Sequence, residues 1–181
     1  MRVIETALPG VLVLEPTVHR DDRGFFLETF QATRFRDVTN VDLPFVQDNH
    51  SRSTKGVLRG LHAQHRQPQG KLVRVSRGEV FDVAAVIDSR SPNFGRWVGV
   101  TLSDVNHRQL WVPPGYAHGF MVLSDVADFE YKCTDFYNPG DEIGVVWNDP
   151  DLAVDWPLSQ PLVSEKDRAL PKLAELQGMF Q

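Results

Sequence analysis

The chain has 181 residues, with 19 Lys plus Arg against 24 Asp plus Glu and a formal net charge of −5. It is long enough to bury a full core without disulfide or metal staples, and its acidity argues against a general polyanion binder, which needs basic surface to meet phosphates. A hydrophobic fraction of 41% and a charged fraction of 24% describe a globular rather than a disordered or fibrous chain.

In chain order, alternating apolar and polar residues predict strands over 11–14 and 24–29, the second opened by the turn Asp21-Asp22-Arg23-Gly24. A short helix over 32–38 and a strand over 45–49 follow, then Lys55-Gly56-Val57-Leu58-Arg59-Gly60-Leu61-His62, which reads as the edge or end of a strand. Strands over 72–75 and 80–87 flank the Arg77-Gly78 turn, and Ser91-Pro92-Asn93-Phe94-Gly95 leads into 97–102. Four more strands, over 109–112, 119–123, 129–134 and 144–147, are divided by Pro113-Pro114-Gly115 and Asn138-Pro139-Gly140 before a terminal helix over 165–176. Ten short strands predict an all-β fold of two packed sheets, with residues 1–181 as one domain. Cys133 is the one cysteine, no stretch reaches the length of a membrane span, and Glu5, Pro9 and Glu15 interrupt any leader-like apolar run. The expected location is therefore the cytoplasm, with no membrane partner.

Charge is unevenly distributed. Between residues 50 and 77 lie seven basic residues and no acid, together with three of the six histidines; between 133 and 164 lie six acids and no Lys or Arg. Two solvated faces would account for the runs, but histidines and glycines within the basic stretch suit a small anionic ligand. Strict alternation puts Arg59 and His62 on opposite faces, so a bulge at Gly60 must intervene if both reach one pocket. His62-Ala63-Gln64-His65 has the wrong spacing for two metal ligands on one strand face, and no acid occurs between His62 and Glu79, so no metal site is expected. Neither a nucleophile elbow nor a glycine-rich phosphate loop is present, which leaves arginine side chains to hold any phosphate.

Gly56-Val57-Leu58-Arg59-Gly60-Leu61-His62, Gly70-Lys71-Leu72-Val73-Arg74-Val75, Gly78-Glu79-Val80-Phe81-Asp82-Val83, Pro113-Pro114-Gly115-Tyr116-Ala117-His118-Gly119-Phe120 and Tyr131-Lys132-Cys133-Thr134 closely resemble the dTDP-4-dehydrorhamnose 3,5-epimerases of deoxysugar biosynthesis. Asp22-Arg23-Gly24-Phe25-Phe26, Gln47-Asp48-Asn49-His50 and Ser164-Glu165-Lys166-Asp167 extend the resemblance over nearly the whole chain. It implies a cupin-type jelly-roll sandwich with a short C-terminal helix, a homodimer, no cofactor and no metal. The implied substrate is a dTDP-4-keto-6-deoxy sugar nucleotide, with no nucleic acid as partner.

Epimerising a centre beside a ketone needs a base on one face, a proton donor on the other and a cation near the enolate oxygen. By resemblance His62 is the base, Asp167 orients it, Tyr131 is the acid and Lys71 meets the oxyanion. Read without the family, Tyr131 is a core aromatic, Asp167 a first-turn helix acid and Lys71 a surface lysine. The resemblance also assigns substrate contacts to Arg23, Phe26, Glu28, Gln47, Asp48, Asn49, Arg59, His118, Tyr137, Glu142 and Lys166, Tyr137 stacking on thymine. Amino-terminal residues could complete a neighbouring subunit's site. The chain departs from the family at Ala63, where an aromatic commonly follows the histidine. That departure leaves open a mono-epimerase; a 3,4-ketoisomerase, a non-catalytic sugar-nucleotide-binding cupin and a metal cupin oxygenase are the other readings.

Overall fold

Short alternating strands bury one face only by pairing edge to edge and stacking two sheets. The computed structural model describes residues 1–180, and these form β1 (Arg2–Glu5), β2 (Leu12–Glu15), β3 (Val18–Asp21), β4 (Gly24–Leu27), β5 (Gln47–Thr54), β6 (Val57–Gln64) and β7 (Lys71–Arg77). There follow β8 (Glu79–Val86), β9 (Trp97–Ser103), β10 (Gln109–Val112), β11 (Tyr116–Val122), β12 (Val126–Cys133), β13 (Glu142–Gly144) and β14 (Leu162–Val163). One sheet runs β1-β2-β10-β7-β12-β5; the other runs β13-β6-β11-β8-β9, with β14 parallel to β6, while β3 and β4 form a separate hairpin. This is a cupin-like β-sandwich.

Each strand shows why its two faces part. On β12, Ala127, Phe129 and Cys133 are buried inward, while Asp128, Glu130 and Lys132 pair outward with Arg52, Arg74 and Asp48. Val73, Val75, Leu110 and Val112 of one sheet meet Val80, Ala84, Leu102, Phe120 and Val122 of the other in the main core. Helix α1 (Ala32–Thr39) covers part of the outer face of the first sheet, Phe35 packing with Leu14, Leu72 and Trp111. The outer face of the second sheet is covered by the tail, through Leu173, Leu176 and Phe180.

The terminal helix expected over 165–176 is corrected. Helix α2 spans only Glu165–Arg168, and a separate 3-10 turn covers Leu173–Gly178. Pro171 lacks an N–H and steers Leu170 away from helical geometry; its carbonyl instead accepts from the Val146 N–H at 2.9 Å. β1, β3 and β14 lie outside the expected strands, β6 is a full strand of eight residues, and the strand expected over 144–147 lies earlier, at Glu142–Gly144, with Val145 still exchanging backbone hydrogen bonds with Leu61. Among the described residues, no helix is long and apolar enough to cross a membrane.

Candidate active site

The interior is apolar at one end and polar at the other because of β5. Its register against β12 pairs Gln47 with Cys133, Asn49 with Tyr131, Ser51 with Phe129 and Ser53 with Ala127. Directly paired residues share a face, so four polar side chains point inward where apolar ones would close the sandwich. A cavity of about 580 Å³ results, lined by Ser51, Arg59, His62, Lys71, His118, Tyr131, Lys166 and Asp167 among others. A second cavity of about 270 Å³ shares His62, Lys71 and Tyr131 and adds Gln47, Asn49, Tyr137 and Glu142.

The bulge required for Arg59 and His62 to share a pocket is present. On β11, His118 pairs with His62 and Phe120 with Arg59, so β6 carries one more residue than its partner across this step. Gly60 sits there with φ +114°, and a Cβ on it would lie 2.6 Å from the Gly119 Cα, so glycine is needed for both conformation and space. His65 diverges from His62 and packs its ring against Phe180 at 5.1 Å. Ala63 joins the cluster of Leu61, Val145, Leu173 and Phe180 as well as touching the smaller cavity.

His62 Nε2 lies 2.7 Å from Asp167 Oδ1, and the other oxygen of Asp167 accepts from the Gly60 N–H at 3.3 Å. Ser164 caps α2 by accepting from the Asp167 N–H, which fixes this carboxylate under the imidazole. Burial pushes the Asp167 carboxyl up, but the His62 bond, the Gly60 N–H and the Ser164 cap outweigh it and hold it below the usual carboxylate range. Burial pulls Lys71 down, opposed by Cys133, Asp82 and Glu142, and pushes the Tyr131 phenol up. His118 Nε2 meets both oxygens of the fully buried Asp82, at 3.0 and 3.1 Å. A histidine–carboxylate pair, a half-buried lysine and a phenol kept protonated thus converge on one cavity, the equipment for proton transfer beside an oxyanion.

Known proteins share this arrangement of strands and motifs. The profile described as dTDP-4-dehydrorhamnose 3,5-epimerase matches residues 5–175. The chain belongs to that family. It is 56% identical over 169 residues to the dTDP-4-dehydrorhamnose 3,5-epimerase of Pseudomonas aeruginosa, covering 93% of each chain. To the enzyme of that name from Salmonella typhimurium it is 54% identical over 175 residues, 96% of each. It superposes with a TM-score of 0.93 on the crystal structure of dTDP-6-deoxy-D-glucose-3,5-epimerase from Legionella pneumophila in complex with dTDP-4-keto-L-rhamnose, at 54% identity over 97% of this chain and 96% of that one. The protein is accordingly a carbohydrate isomerase of the dTDP-4-dehydrorhamnose 3,5-epimerase family.

The remaining residues that the family resemblance singles out fall into three places in this epimerase fold. Tyr137, Glu142 and Lys166 form a strap at the cavity rim, Tyr137 donating its hydroxyl to Glu142 at 2.7 Å and Lys166 reaching the same carboxylate at 2.6 Å. Burial pushes Glu142 up, the bonds from Lys166 and Tyr137 bring it below the ordinary range, and the same carboxylate raises Tyr137 and Lys166. Asp48 is not brought into the site: lying between inward-facing Gln47 and Asn49, it faces out and is bonded to Lys132 at 3.0 Å. Arg23, Phe26 and Glu28 also line neither cavity; Arg23 is bonded to Asp21, Glu28 to Arg34, and Phe26 is 70% exposed. Sequence reasoning missed Ser51, Ser53 and Asp82. The polar alternation on both faces of β5 was the signal for the serines, and a lone acid within Val80-Phe81-Asp82-Val83 was the signal for Asp82.

Proposed function

We propose that the protein epimerises dTDP-4-keto-6-deoxyglucose at carbons 3 and 5, without a cofactor, giving dTDP-4-keto-L-rhamnose. The ketone acidifies the hydrogen on each neighbouring carbon. His62 removes that proton: with Nε2–H donated to Asp167, Nδ1 carries the basic lone pair, and the resulting imidazolium stays beside a carboxylate. The C–H electron pair moves into an enolate whose oxygen is met by the Lys71 ammonium. Tyr131 then protonates the opposite face and becomes a phenolate. Water takes the proton from His62 and another restores Tyr131, so the same groups serve the second carbon.

The observation that carries this reading is the His62–Asp167 pair sharing one cavity with Lys71 and Tyr131. Arg59, His118, Gln47, Asn49, Glu142 and Lys166 would hold the sugar nucleotide, with Tyr137 stacked on thymine. The reading treats residues 1–181 as one cytoplasmic domain acting as a homodimer. The hairpin β3–β4, lying outside both sheets with Phe26 exposed, would carry Arg23, Phe26 and Glu28 into the partner's site, whereas Asp48, facing out beside Lys132, would act only from the outer face of the first sheet. Sedimentation at micromolar concentration should give twice the chain mass, and a monomer would remove that part of the reading. Relatives named as 3,5-epimerases favour action at both carbons over a mono-epimerase.

Incubation with the keto-sugar nucleotide in deuterated water should place deuterium on both carbons flanking the ketone. His62→Ala should abolish it, and exchange that survives would reassign the base. Deuterium on one carbon means a mono-epimerase, a displaced ketone means a ketoisomerase, and binding without exchange means a non-catalytic cupin.

A further inference from the structure

Resting on the substrate reading above, we propose that Arg168 is a ligand of the substrate's diphosphate, completing a cluster of cations with Arg59 and Lys166 at the mouth of the larger cavity. All three line that cavity. β14 runs parallel to β6, pairing Leu162 with Val57 and Val163 with Leu58, and so delivers α2 beside the strand that carries Arg59. The Arg168 N–H donates to the Ser164 carbonyl at 3.0 Å, so the residue is held in the same turn that fixes Asp167.

The charges around the cavity point to an anion of about two charges, as a diphosphate ester carries. Arg59 uses Nε on the Ser53 hydroxyl at 3.1 Å, which leaves its terminal nitrogens uncommitted, and has no carboxylate partner among the described residues. Lys166 is already bonded to Glu142 and is not a full unmatched charge. Arg168 has neither a carboxylate partner nor a side-chain hydrogen bond among the described residues and, with Lys71 of the same cavity reserved for the enolate oxygen, supplies the second full cation for the diphosphate. On the outer face of the first sheet, by contrast, Arg52, Arg74 and Arg108 are each matched by an acid. The guanidinium fork meets two phosphate oxygens at once, which suits it to a diphosphate better than to a bare surface role.

Arg168→Gln separates this proposal from a structural role. Calorimetric titration with dTDP should show affinity reduced about tenfold, the size of one lost charge-assisted hydrogen bond at an exposed site, while thymidine binds as before. KM for the keto-sugar nucleotide should rise by a similar factor and kcat change by less than about twofold, because the lost contact serves ground state and transition state alike. Unchanged dTDP affinity overturns the proposal, as does an equal loss for thymidine, and a fall in kcat with KM unmoved would show that Arg168 acts through Asp167 instead. If the wild-type enzyme binds dTDP and the variant binds it equally, only Arg168 is overturned; if the wild type binds no dTDP, the substrate reading falls with it.

Discussion

The two ends of the sandwich interior are built from the same strands and behave oppositely. β7 supplies Lys71 to the cavity and Val75 to the core, β11 supplies His118 and Val122, and β12 supplies Tyr131 and Ala127. In each pair the residues are four apart, about 13 Å along a strand. Alternation therefore decides which face a side chain takes, and position along the strand decides whether that face is core or site. At the boundary Phe120 and Phe129, which belong to the core and also line the cavity, stack at 4.0 Å; beyond them polar residues of β5 keep the interior open. The apolar end holds the strands in register so that the polar end can keep unmatched groups in place.

The largest test of this division is Asp167→Asn. The amide cannot hold the imidazolium as a carboxylate does, so kcat should fall by roughly a hundred- to ten-thousandfold. Thermal melting should shift little beside that loss, and a fall in kcat below about tenfold would remove the pair from the chemistry. Lys71→Met comes next. Its ammonium is held in the protein against a burial that pulls its pKa down, so removing it should lower kcat roughly a hundredfold while raising Tm by a few degrees. The sign follows from proton binding: the unfolded chain holds this proton more tightly, so wild-type stability rises with pH between the lowered value and about 10.4. The Tm advantage of the variant should accordingly shrink as pH approaches that upper limit. A variant less stable than wild type at pH 7 would show that Lys71 is a structural group.

Leu102→Ala probes the opposite end, where the side chain is fully buried. The cavity should cost about 2–5 kcal/mol and lower Tm by roughly 5–15 °C, with kcat per folded molecule unchanged. A parallel loss of kcat would mean that the two ends are not separable.

Much of this division was legible in the sequence, for physical reasons that also set its limits. Local alternation exposed 109–112 as a strand, and the conflict between Arg59 and His62 demanded the bulge found at Gly60. The strand expected over 45–49 stops at Asn49 because apolar content is what marks a strand in sequence, whereas β5 runs on through Ser51 and Ser53, which face the interior through their pairing with β12. Contacts set by long-range register, such as Asp82 with His118, leave almost no local trace. The resemblance supplied the roles of Lys71 and Tyr131, which read alone as a surface lysine and a core aromatic. The positions of Arg23 and Phe26 outside the cavity follow from a hairpin that pairs with neither sheet, a matter of topology that no local pattern encodes.

The outer face of the first sheet should matter least, and Arg52→Gln tests it. Arg52 bonds Asp128 through Nε at 2.6 Å and Nη2 at 2.7 Å and, with help from His50, brings its carboxyl down to about 2 against the pull of burial. A depressed carboxyl stabilises the fold fully above its unfolded value near 4 and loses that effect as pH falls toward 2. The arginine end is well exposed, so solvent screens the pair and its loss at pH 7 should lower Tm by less than about 2 °C with kcat unchanged. That small difference should shrink further as pH falls from about 4 toward 2, where Asp128 takes its proton in both proteins, and a Tm gap that widens in acid would show that the pair is not its source. A kcat loss comparable to that of Lys71→Met would show that the outer face reaches the cavity through β12, whose alternate residues serve both.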